Sequence, residues 1–307
     1  MKKDLISIKD LSKNEIGELF ELAKELKQEP SAYYEKLKGR SLGLIFQKPS
    51  NRTRVSFEVG MHQFGGYTVY LGPDDIKLGV RETTKDIALT LSRYLDVIVA
   101  RTFSHQDIVE LAENATIPVI NGLSDLLHPC QALADIFTIK EKSDKLEGVK
   151  LAFIGDGNNV VHSLLYCGAK MGLNISLATP RGYEPDTSIL EESKTIAEKT
   201  GANIDIVKDK HRAVEDADVI YTDVWVSMGQ EAERKKRLKA FKDFQINSEL
   251  LSKAKKDCIV MHCLPAHRGE EITGEVIDGP NSIVFDQAEN RLHIQKAILL
   301  KLLDKGV

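Results

Sequence analysis

Short β-branched runs alternate with longer stretches of helical period along almost the whole chain, and this alternation constrains the fold more than any other feature. Strands are expected at 41–46, 67–71, 97–101 and 118–120, with helices near 54–64, 85–94, 106–114 and 129–142. Ahead of them, Ser12-Lys13-Asn14-Glu15 reads as a capping box before Ile16, Leu19, Phe20, Ala23 and Leu26 at helical spacing. After the charged stretch 141–145 the rhythm restarts, with strands at 151–154, 175–178, 204–207, 219–222 and 259–262. A last helix is expected at 289–304, stopped by Gly306. The expected fold is α/β: two similar-sized doubly wound domains with parallel central sheets and a C-terminal helix. The domains are expected at 1–142 and 143–288, the helix at 289–307 packing back on the first. A length of 307 residues agrees with two cores rather than one. Ligands in such sheets bind beyond the carboxyl ends of the strands, which directs attention to strand-to-helix junctions.

Composition removes several function classes. Forty-two Lys plus Arg stand against 46 Asp plus Glu, a formal charge of −4, so no nucleic-acid partner or anionic membrane surface is expected. The start carries no signal-type apolar stretch and no run is long enough to span a bilayer. Cys130, Cys167, Cys258 and Cys263 are sparse and irregularly spaced, which suggests reduced thiols in a cytoplasmic setting. Cys258, His262, Cys263 and His267 invite a zinc assignment. Adjacent His262 and Cys263 on a strand point to opposite faces, and no Cys-x-x-Cys is present, so no metal is expected.

The junctions carry the chemistry. Phe46-Gln47-Lys48-Pro49-Ser50-Asn51-Arg52-Thr53-Arg54 takes a strand end into a helix start. Hydroxyls, free backbone N–H groups, the helix dipole and two guanidinium groups suit a phosphate, although a plain cap flanked by surface arginines reads equally from composition. Arg101 closes the strand 97–101, and His128 precedes a helix that carries Gln131. Gly155-Asp156-Gly157-Asn158-Asn159-Val160 opens the second half as strand, glycine turn and helix. The dinucleotide fingerprint fails at Val160, and no acidic residue closes the next strand. Asp223-Val224-Trp225-Val226-Ser227-Met228-Gly229 and His262-Cys263-Leu264-Pro265 each follow a strand directly.

Taken together, these segments resemble the aspartate and ornithine carbamoyltransferases, in order and over nearly the whole chain. Ser-Asn-Arg-Thr-Arg is similar to their carbamoyl phosphate signature, and His-Pro-Cys-Gln-Ala-Leu-Ala-Asp to their His-Pro-x-Gln-x-Leu-x-Asp. Asp-x-Trp-x-Ser-Met-Gly and His-Cys-Leu-Pro resemble the ornithine branch rather than the aspartate branch. The resemblance implies that 1–142 binds carbamoyl phosphate and 143–288 binds ornithine. It assigns carbamoyl phosphate to Ser50, Asn51, Arg52, Thr53, Arg54, Lys77, Arg101, His128, Gln131, Cys263, Leu264 and Arg291. Ornithine falls to Asn159, Asp223, Ser227, Met228 and Cys263, and the catalytic roles to Cys263, Arg101, His128 and Arg54. It also implies a cis Leu264–Pro265 bond and a homotrimer, or a multiple of it, with Lys77 reaching a neighbour's site.

The implied reaction is carbamoyl transfer to the side-chain amine of L-ornithine, giving L-citrulline and phosphate in arginine metabolism. Carbamoyl phosphate is a mixed anhydride with a good leaving group, so neither cofactor nor metal is expected. Two further readings remain: transfer to another amine such as putrescine or acetylornithine, and a non-catalytic phosphate-binding module on the same fold. An NAD-dependent dehydrogenase is the third, weakened at Val160.

Overall fold

The computed structural model describes residues 3–227 and 229–304. By its internal contacts the chain divides into a unit of Met1–Phe137 with Glu289–Val307 and a unit of Thr138–Ala288.

The first unit is built on four parallel strands: β1 (Ser41–Phe46), β2 (Tyr67–Leu71), β3 (Val97–Arg101) and β4 (Val119–Leu123), in the order β2-β1-β3-β4. β1 and β3 are buried throughout, as uninterrupted apolar strands covered on both faces should be. Ile45, Ile98, Ala100 and Val119 pack with Ile87, Ala88, Ile108 and Leu111 from the helices on one face. The expected capping box at Ser12 is present in both directions: the Glu15 N–H donates to Ser12 Oγ, and the Ser12 N–H to Glu15 Oε2 at 2.8 Å.

β4 begins one residue later than expected and runs three residues further, through Asn121 and Gly122. Asn and Gly are ordinarily turn-forming residues. In the structure Asn121 is fully buried, its side-chain amide donating to the Ile6 carbonyl at 3.0 Å, and Gly122 lies close to the Ala100 carbonyl. The outer edge of β4 is occupied by the chain's own residues 4–6. Leu5 donates to Val119 and accepts from Asn121, while Asp4 Oδ1 accepts the Val119 N–H.

The second unit has five parallel strands: β5 (Lys150–Ile154), β6 (Asn174–Ala178), β7 (Ile204–Val207), β8 (Val219–Thr222) and β9 (Ile259–His262), ordered β7-β6-β5-β8-β9. Its core joins Ala152, Ile154, Ile220 and Val260 to Ala213, Val214, Ile272 and Val276. Both sheets are parallel and doubly wound, as expected. The last helix, Val284–Leu303, starts five residues before the expected position. The Ile283 carbonyl already accepts the Gln287 N–H, and the buried Val284 anchors the first turn. The expected stop at Gly306 lies outside the described residues. No helix among the described residues is long and apolar enough to cross a membrane.

Strand order reverses between β1 and β3 in the first sheet and between β5 and β8 in the second. A crevice opens at the carboxyl ends of strands at such switch points, and the segments singled out above follow β1, β3, β4, β5, β8 and β9.

Candidate active site

In the first unit, helix Asn51–Gln63 starts three residues earlier than expected because Ser50 caps it, its Oγ accepting the Thr53 N–H at 3.2 Å. The cap places Asn51, Arg52 and Thr53 in the first turn, where backbone N–H groups and the positive dipole end face outward. Thr53 is buried and its hydroxyl accepts from Arg291 Nη2 at 3.0 Å. The other fork of Arg291 donates to Gln131 Oε1, and the Gln131 amide donates to Asp135 at 2.8 Å. Arg291, Gln131, Arg101 and His128 are all at least nine-tenths buried. Arg101 sits at a register shift between β3 and β4, with its carbonyl accepting the Gln47 N–H.

Electrostatics knit this group together. Burial holds the His128 imidazole well below the ordinary histidine range, and the cations of Arg291, Arg101 and Arg52 push it further down. His128 is therefore a neutral ring beside three guanidinium groups. Burial pushes the neighbouring Cys130 thiol up to about 12, which makes it an inert core group. Arg54 stands apart: Nε donates to Glu58 at 3.0 Å and its guanidinium lies 3.7 Å from the Tyr70 ring centroid. Lys77 is exposed.

The second unit gathers its residues at the ends of β5, β8 and β9. Asp223 is nearly buried and both its oxygens are engaged. Oδ2 accepts from Asn158 Nδ2 at 2.8 Å; Oδ1 accepts the Val224 N–H at 2.8 Å and the Cys263 thiol at 3.0 Å. Asn158 also caps helix Asn159–Met171, accepting from Val160 and Val161. The first of the two asparagines thus touches Asp223, whereas Asn159, expected at the substrate, opens the helix. Ser227 lies in a turn closed by Gln230, whose side chain accepts the Ser227 N–H. Met228 lies outside the described residues.

Cys263 is aimed by a turn that breaks ordinary backbone rules. Leu264 has φ +56° and precedes a cis bond to Pro265, as expected. His262 Nδ1 accepts the Leu264 N–H at 2.9 Å, which leaves Nε2 to carry the proton toward Glu271 Oε1 at 3.1 Å. Glu271 is fully buried and also accepts the His267 N–H.

Asp223, His262 and Cys263 offer ligand atoms within 4.8 Å of one another, as do His267, Glu270 and Glu271. A metal in the first group would have to displace a partner from His262, since both ring nitrogens are engaged. Cys258 is not part of either group and is buried beside Ile259.

Gly157 accounts for the glycine turn without a dinucleotide. A Cβ there would come within 2.2 Å of the Pro185 nitrogen and 2.5 Å of the Glu184 carbonyl carbon. Its N–H donates to the Tyr183 carbonyl at 2.8 Å. The close approach a pyrophosphate would make at this glycine is made instead by the chain's own residues 183–185.

Sequence reasoning missed four participants: Asn158, Asp156, Arg237 and Glu271. Asp156 Oδ2 and Arg237 Nη1 form a buried ion pair at 3.0 Å, and burial pushes the Asp156 carboxyl up to about 6. The only sequence signal for Asp156 was its place between two required glycines.

Two family models match the chain. The carbamoyl-P binding domain of aspartate/ornithine carbamoyltransferase matches residues 3–141, and the Asp/Orn binding domain matches residues 147–302. The chain belongs to the aspartate/ornithine carbamoyltransferase family. Within the family it is 54% identical over 303 residues to the ornithine carbamoyltransferase of Anoxybacillus flavithermus, covering 98% of this chain and 96% of that one. To the anabolic ornithine carbamoyltransferase of Pyrococcus furiosus it is 53% identical, over 97% of this chain and 95% of that one. A solved structure of ornithine carbamoyltransferase from Pyrococcus furiosus superposes with a TM-score of 0.95, covering 99% of this chain and 97% of that one at 52% identity.

Proposed function

We propose that the chain transfers the carbamoyl group of carbamoyl phosphate to the side-chain amine of L-ornithine, releasing L-citrulline and phosphate. The observation that carries this reading is Asp223, a carboxylate locked by Asn158 and the Val224 N–H with the Cys263 thiol 3.0 Å from one oxygen. It is a fixed anion for an amino-acid ammonium beside a soft group that can line an attacking amine. The names of relatives at 52–54% identity support ornithine as the acceptor, and the anabolic one from Pyrococcus furiosus supports a biosynthetic direction.

Residues 1–142 with 289–307 are assigned to carbamoyl phosphate, and 143–288 to ornithine. Ser50, Asn51, Arg52, Thr53 and Arg54 hold the phosphate through the helix start and its cations. For Arg54 this means exchanging Glu58 for the anion. Arg101, His128 and Arg291 face the carbamoyl oxygen, where negative charge develops as the amine attacks, and Gln131 takes the amide. A neutral His128 serves there as a hydrogen-bond donor that carries no charge of its own. Asp223 pairs the α-ammonium of ornithine, with Asn159, Ser227 and Met228 around the amino-acid group. Cys263 and Leu264 line the place of attack.

An alkylammonium has a reference pKa of about 10.4, so the amine must lose its proton before it attacks. Excluding water favours its neutral form, and the departing phosphate can accept the proton. The carbon–nitrogen bond forms as the carbon–oxygen bond to phosphate breaks, with no redox change. Assembly as a homotrimer in the cytoplasm completes the reading. Val55 and Val59 on the exposed side of helix Asn51–Gln63, and Tyr67 and Val69 on β2, give the first unit an apolar surface suited to a second copy.

The test is citrulline formation from carbamoyl phosphate and ornithine, with aspartate, putrescine and acetylornithine in parallel. Turnover with ornithine alone is expected. Turnover with another amine would overturn the assignment of Asp223 and Ser227, and none with any amine would overturn the enzyme reading. Cys263→Ala is expected to cut turnover by at least about tenfold while calorimetry shows carbamoyl phosphate binding retained. Full activity in that variant would remove the thiol from the reaction.

A further inference from the structure

We propose that Arg237 is the positioning residue of the amino-acid half-site, fixing the course of residues 223–227 by holding the Trp225 carbonyl to Asp156. This rests on the reading of Asp223 and Ser227 as groups that hold ornithine.

Arg237 lies on helix Arg234–Phe241 and is 6% exposed. Its Nη1 donates to Asp156 Oδ2 and to the Trp225 carbonyl, each at 3.0 Å. Nε lies 3.4 Å from Glu233 Oε2. The guanidinium carbon stands 4.9 Å from the Tyr183 ring centroid and 5.8 Å from that of Phe241. Phe241 in turn meets Tyr183 edge-on at 4.7 Å and stacks with the Trp225 indole at 5.9 Å. One cation therefore ties together the end of β5, the loop after β8 and the segment that covers Gly157.

The location gives the clamp its effect. Trp225 falls midway between Asp223 and Ser227, so any displacement of its carbonyl moves both. Asp156, Asp223 and Glu233 also surround the same place with negative charge. Asp223 and Glu233 add to the burial that raises the Asp156 carboxyl, while Arg237 alone among these groups opposes it. Without the guanidinium, the repulsion of Asp156 by Asp223 and Glu233 loses the cation that opposes it, which disfavours the present course of the loop carrying Asp223. Arginine suits the task because the two N–H groups of Nη1 point in fixed directions in the guanidinium plane, toward the carboxylate and the carbonyl, while that plane lies over the Tyr183 ring; a lysine ammonium supplies charge without that planar group.

Trp225 is the chain's single tryptophan, so its emission reports on this loop alone. The experiment compares the full chain with Arg237→Gln and Arg237→Lys, following Trp225 emission and acrylamide quenching, steady-state kinetics and calorimetric binding of L-2-aminopentanoate. That probe is ornithine without its side-chain amine, and its binding requires no turnover. For Arg237→Gln we expect red-shifted, more readily quenched emission and KM for ornithine raised by about tenfold or more, with the probe weakened in parallel. The KM for carbamoyl phosphate should stay within about twofold. Arg237→Lys should fall between the two, and it decides the matter if Arg237→Gln does not fold.

Unchanged probe affinity in a folded variant, or a kcat loss with ornithine KM unaltered, overturns the proposal. If the parent chain binds the probe but makes no citrulline, the reaction assignment has failed, while probe binding still decides the role of Arg237. If the parent does not bind the probe, the amino-acid half-site itself is overturned.

Discussion

At the scale of single residues, what matters is which protonation state each buried group is held in. His128 is kept neutral by burial and by Arg291, Arg101 and Arg52, so its folded pKa lies below the ordinary value. A base with a depressed pKa refuses a proton that the unfolded chain accepts. Its contribution to stability is therefore complete above about pH 6.5 and is lost as pH falls toward the folded value. His128→Asn is expected to flatten the acid side of the stability–pH curve by up to about 1.4 kcal/mol per pH unit, the slope of one proton. Thermal melts of both proteins between pH 5 and 8 measure it; identical slopes would mean that His128 titrates normally. Residue identity was legible in the sequence wherever a motif carried it: Ser50 to Arg54, His128, Gln131, Asp223 and Cys263 could each be named. Pairing was not. Asp156 and Arg237 are 81 positions apart, and Arg291 and Gln131 are 160 apart, with nothing in a single sequence to join them. The Asn158-Asn159 pair shows the same gap, because only the geometry tells which amide turns toward Asp223.

At the scale of elements, the glycine turn after β5 is where pattern and structure diverge most usefully. The strand order β7-β6-β5-β8-β9 matches five of the six strands of a dinucleotide-binding sheet, and Gly155-x-Gly157 stands where such a fold places its phosphate turn. Gly155 has φ +147°, a conformation only glycine adopts readily, while Gly157 is needed for the backbone of residues 183–185 to cross it. Gly157→Ala is expected to cost about 1–3 kcal/mol, as overpacking does when the neighbour is backbone that cannot rotate away. Denaturant titration would show it as a lower midpoint at unchanged slope; a midpoint like the parent's would mean that residues 183–185 give way freely. The centres of β1, β3 and β8 were legible because parallel strands buried on both faces are continuous apolar runs. The ends of β4 and of the final helix were not. Asn121 and Gly122 are strand residues only because Ile6 and Ala100 lie beside them, and Val284 is helical only because of the core it enters.

At the scale of the molecule, surface pattern governs how copies meet. Val55 and Val59 recur at helical spacing on a helix that packs beside β2, and Tyr67 and Val69 share one face of that strand. Val59→Glu is expected to shift sedimentation velocity toward smaller species while leaving the far-ultraviolet spectrum unchanged. An unaltered distribution would place the contact between copies elsewhere. Residues 4–6 carry a different consequence. By pairing along β4 they close one lateral border of the first sheet, so that β2 is its other edge strand among the described residues. A copy that pairs strand to strand through β2 has no second border of this sheet to offer, so pairing cannot run on from copy to copy, and a homotrimer has to close through side chains instead. Removing residues 4–6 would leave both borders open, and uncapped growth into filaments is what such a sheet then permits.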